Sequence, residues 1–215
     1  MVNFLYLHGF ASSPLSTKSS YFRDRAAEIG INLLIPDLNQ GDFFNLTLTR
    51  QINQCTALLE DSGAIGIIGS SFGGLTAAWL GERHPQIKHL ILLAPAFQFA
   101  QVWLPRLGDQ YEQWRTQGEL PIYHYGKEAF LPLGFPFVED LMSYSETELQ
   151  QPIPTLIIHG RQDETIPVQV SRDYAQTRPW VDLIEIDGDH KFIENLETLW
   201  QEMKPRLTQA IAQKI

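Results

Sequence analysis

The chain has little that would tie it to an oxidising compartment, a nucleic acid or a bilayer. Cys55 is the single cysteine in 215 residues, which excludes an intrachain disulfide and a four-cysteine zinc site and fits a reducing compartment. Runs of lysine or arginine are missing: 16 basic residues stand against 25 acidic ones, for a formal charge of -9. That leaves no electrostatic footprint for nucleic acid or anionic lipid, and a small-molecule partner is expected instead. No window approaches the ~18 apolar residues of a membrane span. The opening MVNFLYLHGF lacks a basic n-region, and its apolar run is too short for a secretory signal. The expectation is a soluble, cytoplasmic protein without a membrane partner. Repeats, low-complexity tracts and linker-like stretches are also lacking, so residues 1–215 read as one domain.

What is present is an alternation of element types. Short apolar runs rich in β-branched residues stand at Val2–Leu7, Ile31–Pro36, Ala64–Gly69, Ile87–Ala94, Thr155–His159 and Val181–Ile186. Most read as strands buried on both faces. Between them lie helical patterns. Phe22, Ala26 and Ile29 share a face of Ser19–Ile29, which Gly30 caps; Leu48, Ile52, Cys55 and Leu59 do the same in Leu48–Leu59. Further helices are predicted at Leu75–Arg83, stopped by Pro85, at Val168–Arg178 behind Pro167, and at Ile193–Gln213. Strands alternating with helices imply an α/β fold: a mostly parallel sheet of about six strands with helices on both faces.

One segment breaks the alternation. Residues 97–151 hold many aromatics and prolines but only fragments of helical pattern, at Gly108–Thr116 and Val138–Glu148. It reads as a cap-like insertion above the sheet, and such excursions often wall a pocket. Trp103, Trp114 and Tyr125 are its candidate substrate-binding side chains.

Ligands of an open parallel sheet collect beyond the carboxyl ends of its strands. At one such end, Gly69-Ser70-Ser71-Phe72-Gly73 matches G-x-S-x-G between a predicted strand and a predicted helix. That turn forces the serine into a strained conformation with its hydroxyl projecting, and brings the residues two before and two after it close together. Glycine at both places removes the clash. The helix that follows aims free N–H groups above the serine, so the Phe72 amide is placed to face a developing negative charge.

A serine hydroxyl needs a base, and the base an orienting acid. TLIIHGRQDETIP places Asp163 after one strand and VDLIEIDGDHKF places His190 after the last, in the chain order serine, acid, histidine. Ser71, Asp163 and His190 are therefore the candidate catalytic residues. Asp187 and Asp189 are expected to be solvated turn residues, and His84 and His89 surface ones. His124 is expected to be structural or exposed, His8 and His159 to brace loops, and Ser70 to point into the fold. YLHGFASSP supplies the second half of an oxyanion hole, with the Phe10 amide joining that of Phe72.

On these residues the chain resembles the α/β-hydrolase superfamily and, within it, the small YqiA-type esterases: LYLHGF stands at Leu5–Phe10, SSP at Ser12–Pro14 and GSS-x-GG at Gly69–Gly74. The acid loop His159–Pro167 is closer to the general hydrolase pattern than to the family's version, and residues 97–151 match no familiar pattern. The resemblance implies a fold reduced from eight strands to six, because the chain starts at the strand carrying HGF. It also implies cleavage of small acyl esters or thioesters, with no metal or organic cofactor. Other readings stay open: an acyl-CoA thioesterase, a peptidase or lactonase using the same residues, and a non-catalytic binding protein on the same fold.

Overall fold

The strands form where apolar β-branched runs meet a layer of helices on each side. The computed structural model describes residues 2–63 and 65–214; Ala64, which opens the third predicted strand, lies outside them. The chain runs β1 (Val2–Leu7), α1 (Thr17–Glu28), β2 (Ile31–Leu34), α2 (Leu48–Ser62), β3 (Gly66–Ser70), α3 (Phe72–Arg83) and β4 (His89–Leu93). An excursion follows: α4 (Phe99–Trp103), α5 (Asp109–Gln117), β5 (Glu119–His124), β6 (Ala129–Gly134) and α6 (Pro136–Met142). The chain returns as β7 (Thr155–Gly160), α7 (Val168–Gln176), β8 (Val181–Ile186) and α8 (Leu196–Lys214).

Six strands make one parallel sheet in the order β2-β1-β3-β4-β7-β8. Every residue of β3 and β7 is buried, which is why those strands read as unbroken apolar runs. Side chains alternate between two cores. Phe4, Tyr6, Ile68 and Ile158 pack under α1 and α8, against Phe22, Trp200 and Met203. Leu5, Leu7, Ile67 and Ile157 pack under α2 and α3, against Ile52, Cys55 and Trp79. From β1 the chain steps outward to β2 and then crosses back to β3 on the other side of β1. The loops after β1 and β3 therefore meet at the switch point, where ligands of such sheets bind. Among the described residues, no helix is long and apolar enough to cross a membrane.

Two elements depart from expectation. Helix α3 begins at Phe72 rather than Leu75, since the chain turns into helix directly after Ser71 despite Gly73 and Gly74. The excursion contains an antiparallel hairpin that its prolines disguise. Pro121 and Pro132 face each other in its register, and such a pair fits where neither N–H is needed for the ladder. The excursion is not a separate body: Trp114, Leu133 and Phe137 join the same buried cluster as Phe72 and Leu75.

Candidate active site

Ser71 sits at the joint of β3 and α3 with φ 54 and ψ -119, a conformation that costs an L-residue of order 1–3 kcal/mol. Its surroundings hold it there. The Ser71 N–H donates to the Leu93 carbonyl at 2.9 Å, and the Ser71 carbonyl accepts from Gly74 at 2.8 Å and Ala96 at 3.0 Å. A Cβ on Gly69 would stand 2.5 Å from the Gly73 oxygen and 2.7 Å from the Gly74 Cα; one on Gly73 would fall on the Leu7 carbonyl. The neighbouring Ser70 side chain is buried beneath the elbow, where it meets the Tyr6 phenol.

Asp163 and His190 arrive from the ends of β7 and β8. The Ser71 hydroxyl lies 3.0 Å from His190 Nε2, and His190 Nδ1 donates to Asp163 Oδ2 at 2.7 Å. Asp163 Oδ1 accepts the Thr165 and Ile166 amides at 2.9 and 2.8 Å. The Asp163 side chain is wholly excluded from solvent, while His190 keeps 20% of its exposure. Burial alone would push Asp163 up, but hydrogen bonds from His159, His190 and the Ile166 amide outweigh it and hold the carboxyl below its ordinary range. The tight His190 turn is shaped by the aspartates that flank it. Asp189 accepts the Phe192 amide at 2.8 Å and Asp187 accepts the Gln162 side-chain amide.

The loop after β1 passes over the serine: a Cβ on Gly9 would stand 3.3 Å from the Ser71 Cβ. His8 braces this loop, accepting the Leu38 amide on Nε2 at 3.1 Å and donating from Nδ1 to the Gly9 carbonyl at 3.0 Å. The next residue, Phe10, packs its ring against Phe137 at 5.3 Å, Trp103 at 5.6 Å and Phe72 at 6.1 Å. Phe72 opens α3, so its N–H has no partner inside the helix.

Of the three aromatic residues expected to meet substrate, Trp103 and Trp114 meet edge to face at 5.8 Å, and Tyr125 stands apart from them. Trp114 is fully buried, its indole N–H donating to the Leu133 carbonyl at 2.8 Å. It is enclosed where the hairpin folds back on α5, as part of the core that the excursion shares with the sheet. Trp103 is half-buried and stacks on Phe99 at 5.2 Å, bearing on the loop that carries Phe10. Tyr125 is 61% exposed at the hairpin turn, with the Lys191 ammonium 5.7 Å from its ring. His124 is buried edge-on to Phe43, and its Nδ1 has no partner among the described residues. His84 and His89 are half-buried rather than superficial.

Lys18 was not singled out by any motif. Its ammonium lies 5.4 Å from the Phe192 ring, and burial pushes it down to about 8 against the opposing pull of Asp163 and Asp189. Among the described residues, no group of three or more metal-ligating side chains converges. Two clefts lie away from the serine. One of about 480 Å³ lies at the amino ends of β4 and β7, and one of about 740 Å³ lies between α4, α6 and α7. The second includes Phe99, whose ring touches Phe72 and Phe10.

A parallel sheet that reverses at β1/β3, with a strained serine after β3, an acid after β7 and a histidine after β8, defines an α/β-hydrolase fold. Solved structures agree. Est1E from Butyrivibrio proteoclasticus, with ferulic acid bound, superposes with a TM-score of 0.82 over 99% of this chain and 90% of that one, at 22% identity. Mouse alpha/beta hydrolase domain-containing protein 10 gives 0.78 over 97% and 90%, at 18% identity. Residues 3–205 match the family described as Uncharacterised protein family (UPF0227), and the chain belongs to that family. It is also similar to 2-hydroxymuconate semialdehyde hydrolase of Pseudomonas putida, 33% identical over an alignment of 143 positions that covers 53% of this chain and 50% of that protein. The chain thus spans about half the length of the curated relatives it matches.

Proposed function

We propose that the protein is a serine esterase that cleaves small acyl esters through an acyl-enzyme intermediate. The observation that carries this reading is the unbroken run of hydrogen bonds from Ser71 through His190 to Asp163, on a backbone strained at the serine. His190 Nε2 takes the Ser71 proton as the oxygen attacks the carbonyl, and the imidazolium then gives that proton to the leaving alcohol. Water repeats the sequence on the acyl-enzyme. Asp163 accepts from Nδ1, which leaves Nε2 free as the base. The amides of Phe10 and Phe72 are the assigned donors to the tetrahedral oxyanion, and losing one such donor typically costs ~10²–10³ in turnover.

The similarity to a hydrolase of Pseudomonas putida over half its length supports hydrolysis in general. An acyl thioester would react by the same steps, but the -9 charge disfavours a polyanionic leaving group. The test is turnover of p-nitrophenyl esters of increasing acyl length by wild type and Ser71→Ala, with circular dichroism to establish folding. Loss of at least ~10³ in rate by a folded variant supports the reading. A folded wild type that hydrolyses none of the esters and takes no label from a fluorophosphonate overturns it.

A further inference from the structure

Asp163 does more than receive His190. Its carboxylate accepts three N–H groups, Thr165 and Ile166 on Oδ1 and His190 on Oδ2, and the His159 Nε2 stands 3.2 Å from Oδ2 as a fourth polar neighbour. A carboxylate has about four lone-pair sites; three are taken here, and the His159 ring nitrogen stands against the fourth. Since no solvent reaches the group, these donors replace water in sustaining its charge.

His159, at the end of β7, is itself wholly buried. Its Nε2 faces two acceptors, the Ile166 carbonyl at 2.9 Å and Asp163 Oδ2 at 3.2 Å. A ring nitrogen between two acceptors has to carry the proton, since a lone pair there would oppose both oxygens. On the other side, Nδ1 lies 2.7 Å from the buried Ser171 hydroxyl of α7, which donates to it in the neutral ring. The two oxygens at Nε2 thus select the tautomer, Ser171 supports it from the other side of the ring, and the ring bears on both Asp163 and the turn that carries it.

We propose that His159 is a positioning residue of the Ser71 machinery: a neutral imidazole, held as the Nε2–H tautomer by the Ile166 carbonyl and the Asp163 carboxylate and supported at Nδ1 by Ser171, that aligns the Asp163 carboxylate with His190 and keeps it ionised. The kinetic consequence rests on the esterase reading; the tautomer does not. The other charges bearing on this pair are Lys18 from α1, Asp189 from the His190 turn, and Glu185, opposite His159 on β8. Removing the His159 donor acts twice in one direction. Asp163 becomes easier to protonate, and while ionised it gives Oδ2 wholly to His190, which stabilises the imidazolium. Both effects move the acid limb of kcat/KM to higher pH.

The test compares wild type, His159→Phe, His159→Gln and Ser171→Ala, by kcat/KM on p-nitrophenyl acetate from about pH 5 to about pH 9 and by ring-¹⁵N histidine NMR. Expected are a neutral Nε2–H His159 in the wild type, and in His159→Phe a kcat lower by ~10–100-fold with KM nearly unchanged. Its acid limb should rise by about one pH unit, and His159→Gln, whose amide N–H reaches the Nε2 position, should restore it. Ser171→Ala removes the hydroxyl that supports the ring at Nδ1 and should fall between. An Nδ1–H tautomer in the wild type overturns the proposal. So does an unshifted acid limb in folded His159→Phe, or a Gln variant no better than Phe. If His159→Phe does not fold, the wild-type tautomer and the Gln and Ser171 variants decide. If the wild type hydrolyses no ester and Ser71 takes no fluorophosphonate, the esterase reading fails alone. The tautomer, and the His190 Nδ1 proton resonance in His159→Gln, then decide the positioning role.

Discussion

At Asp163 a single-atom change separates charge from shape. In Asp163→Asn the two amides of Thr165 and Ile166 dictate that the side-chain oxygen stays in the Oδ1 place. The NH₂ group then faces His190 Nδ1 and His159 Nε2, two nitrogens that now donate. His190 has to shift its proton to Nε2, which removes the lone pair that faces the Ser71 hydroxyl. On the proposed esterase reading, ester turnover at neutral pH should fall by ~10⁴ while circular dichroism stays native. A folded variant that retains more than about a tenth of wild-type turnover would place the acid elsewhere. Lys18 offers a milder probe at the same scale. In Lys18→Met the positive charge near Asp163 is gone, so His190 should hold its proton more firmly and the acid limb should move up, by less than in His159→Phe.

Among the elements, α3 depends on two close approaches. Gly73 has no room for a methyl group against β1, and Gly69 has none against Gly73 and Gly74. Backbone atoms form both walls, so neither yields as a flexible side chain would. Gly73→Ala should therefore cost about 3 kcal/mol or more, read as a fall in the urea midpoint or as insoluble expression. The hairpin is held differently, by the Trp114 ring and its bond to the Leu133 carbonyl. Trp114→Ala should cost about 3–5 kcal/mol. It should also slow ester hydrolysis, because the cap aromatics it supports, Trp103 and Phe137, pack on the Phe10 ring. Thermal melts and turnover measured on one preparation would check both.

For the whole molecule, the shared core of cap and sheet predicts one cooperative transition, with far-ultraviolet dichroism and tryptophan fluorescence coinciding in urea. Two separate transitions would mark the cap as an independent unit. The cap also carries a pH dependence. Glu146, near its end, accepts the Gln98 amide at 2.7 Å near its start. Burial raises this carboxyl from 4.5 to about 7, with the Gln98 N–H and Arg178 pulling the other way. Between those values the folded chain holds a proton that the unfolded chain has released, so stability falls as pH rises through the window. Relative to Glu146→Gln, the wild type should lose about 1–2 kcal/mol between about pH 5 and about pH 8, a figure discounted for the remaining solvent exposure. Asp163 acts in the opposite sense and in a separate window: its depressed carboxyl lends stability that is lost only as pH falls below its ordinary range.

The sequence by itself determined the six-strand parallel sheet, its flanking helices and the three residues hydrogen-bonded in series at one end. Those features are written in local patterns: apolar runs buried on both faces, helical periodicity, and glycines flanking a serine where a strand turns into a helix. Only the tertiary structure decided the rest, because it depends on contacts between residues far apart in the chain. The β5–β6 hairpin was hidden by Pro121 and Pro132, whose lack of N–H matters only once their register is known. Trp114 looked like a pocket wall and proved to be the centre of the cap, since composition does not say which face of a ring another element will cover. Lys18 stands near Asp163 because α1 and the turn after β7 converge, and no spacing in the sequence records that approach. His159 was legible as a loop brace. That it shares Asp163 Oδ2 with His190 follows only from the path of the turn that returns from β7 to Ile166.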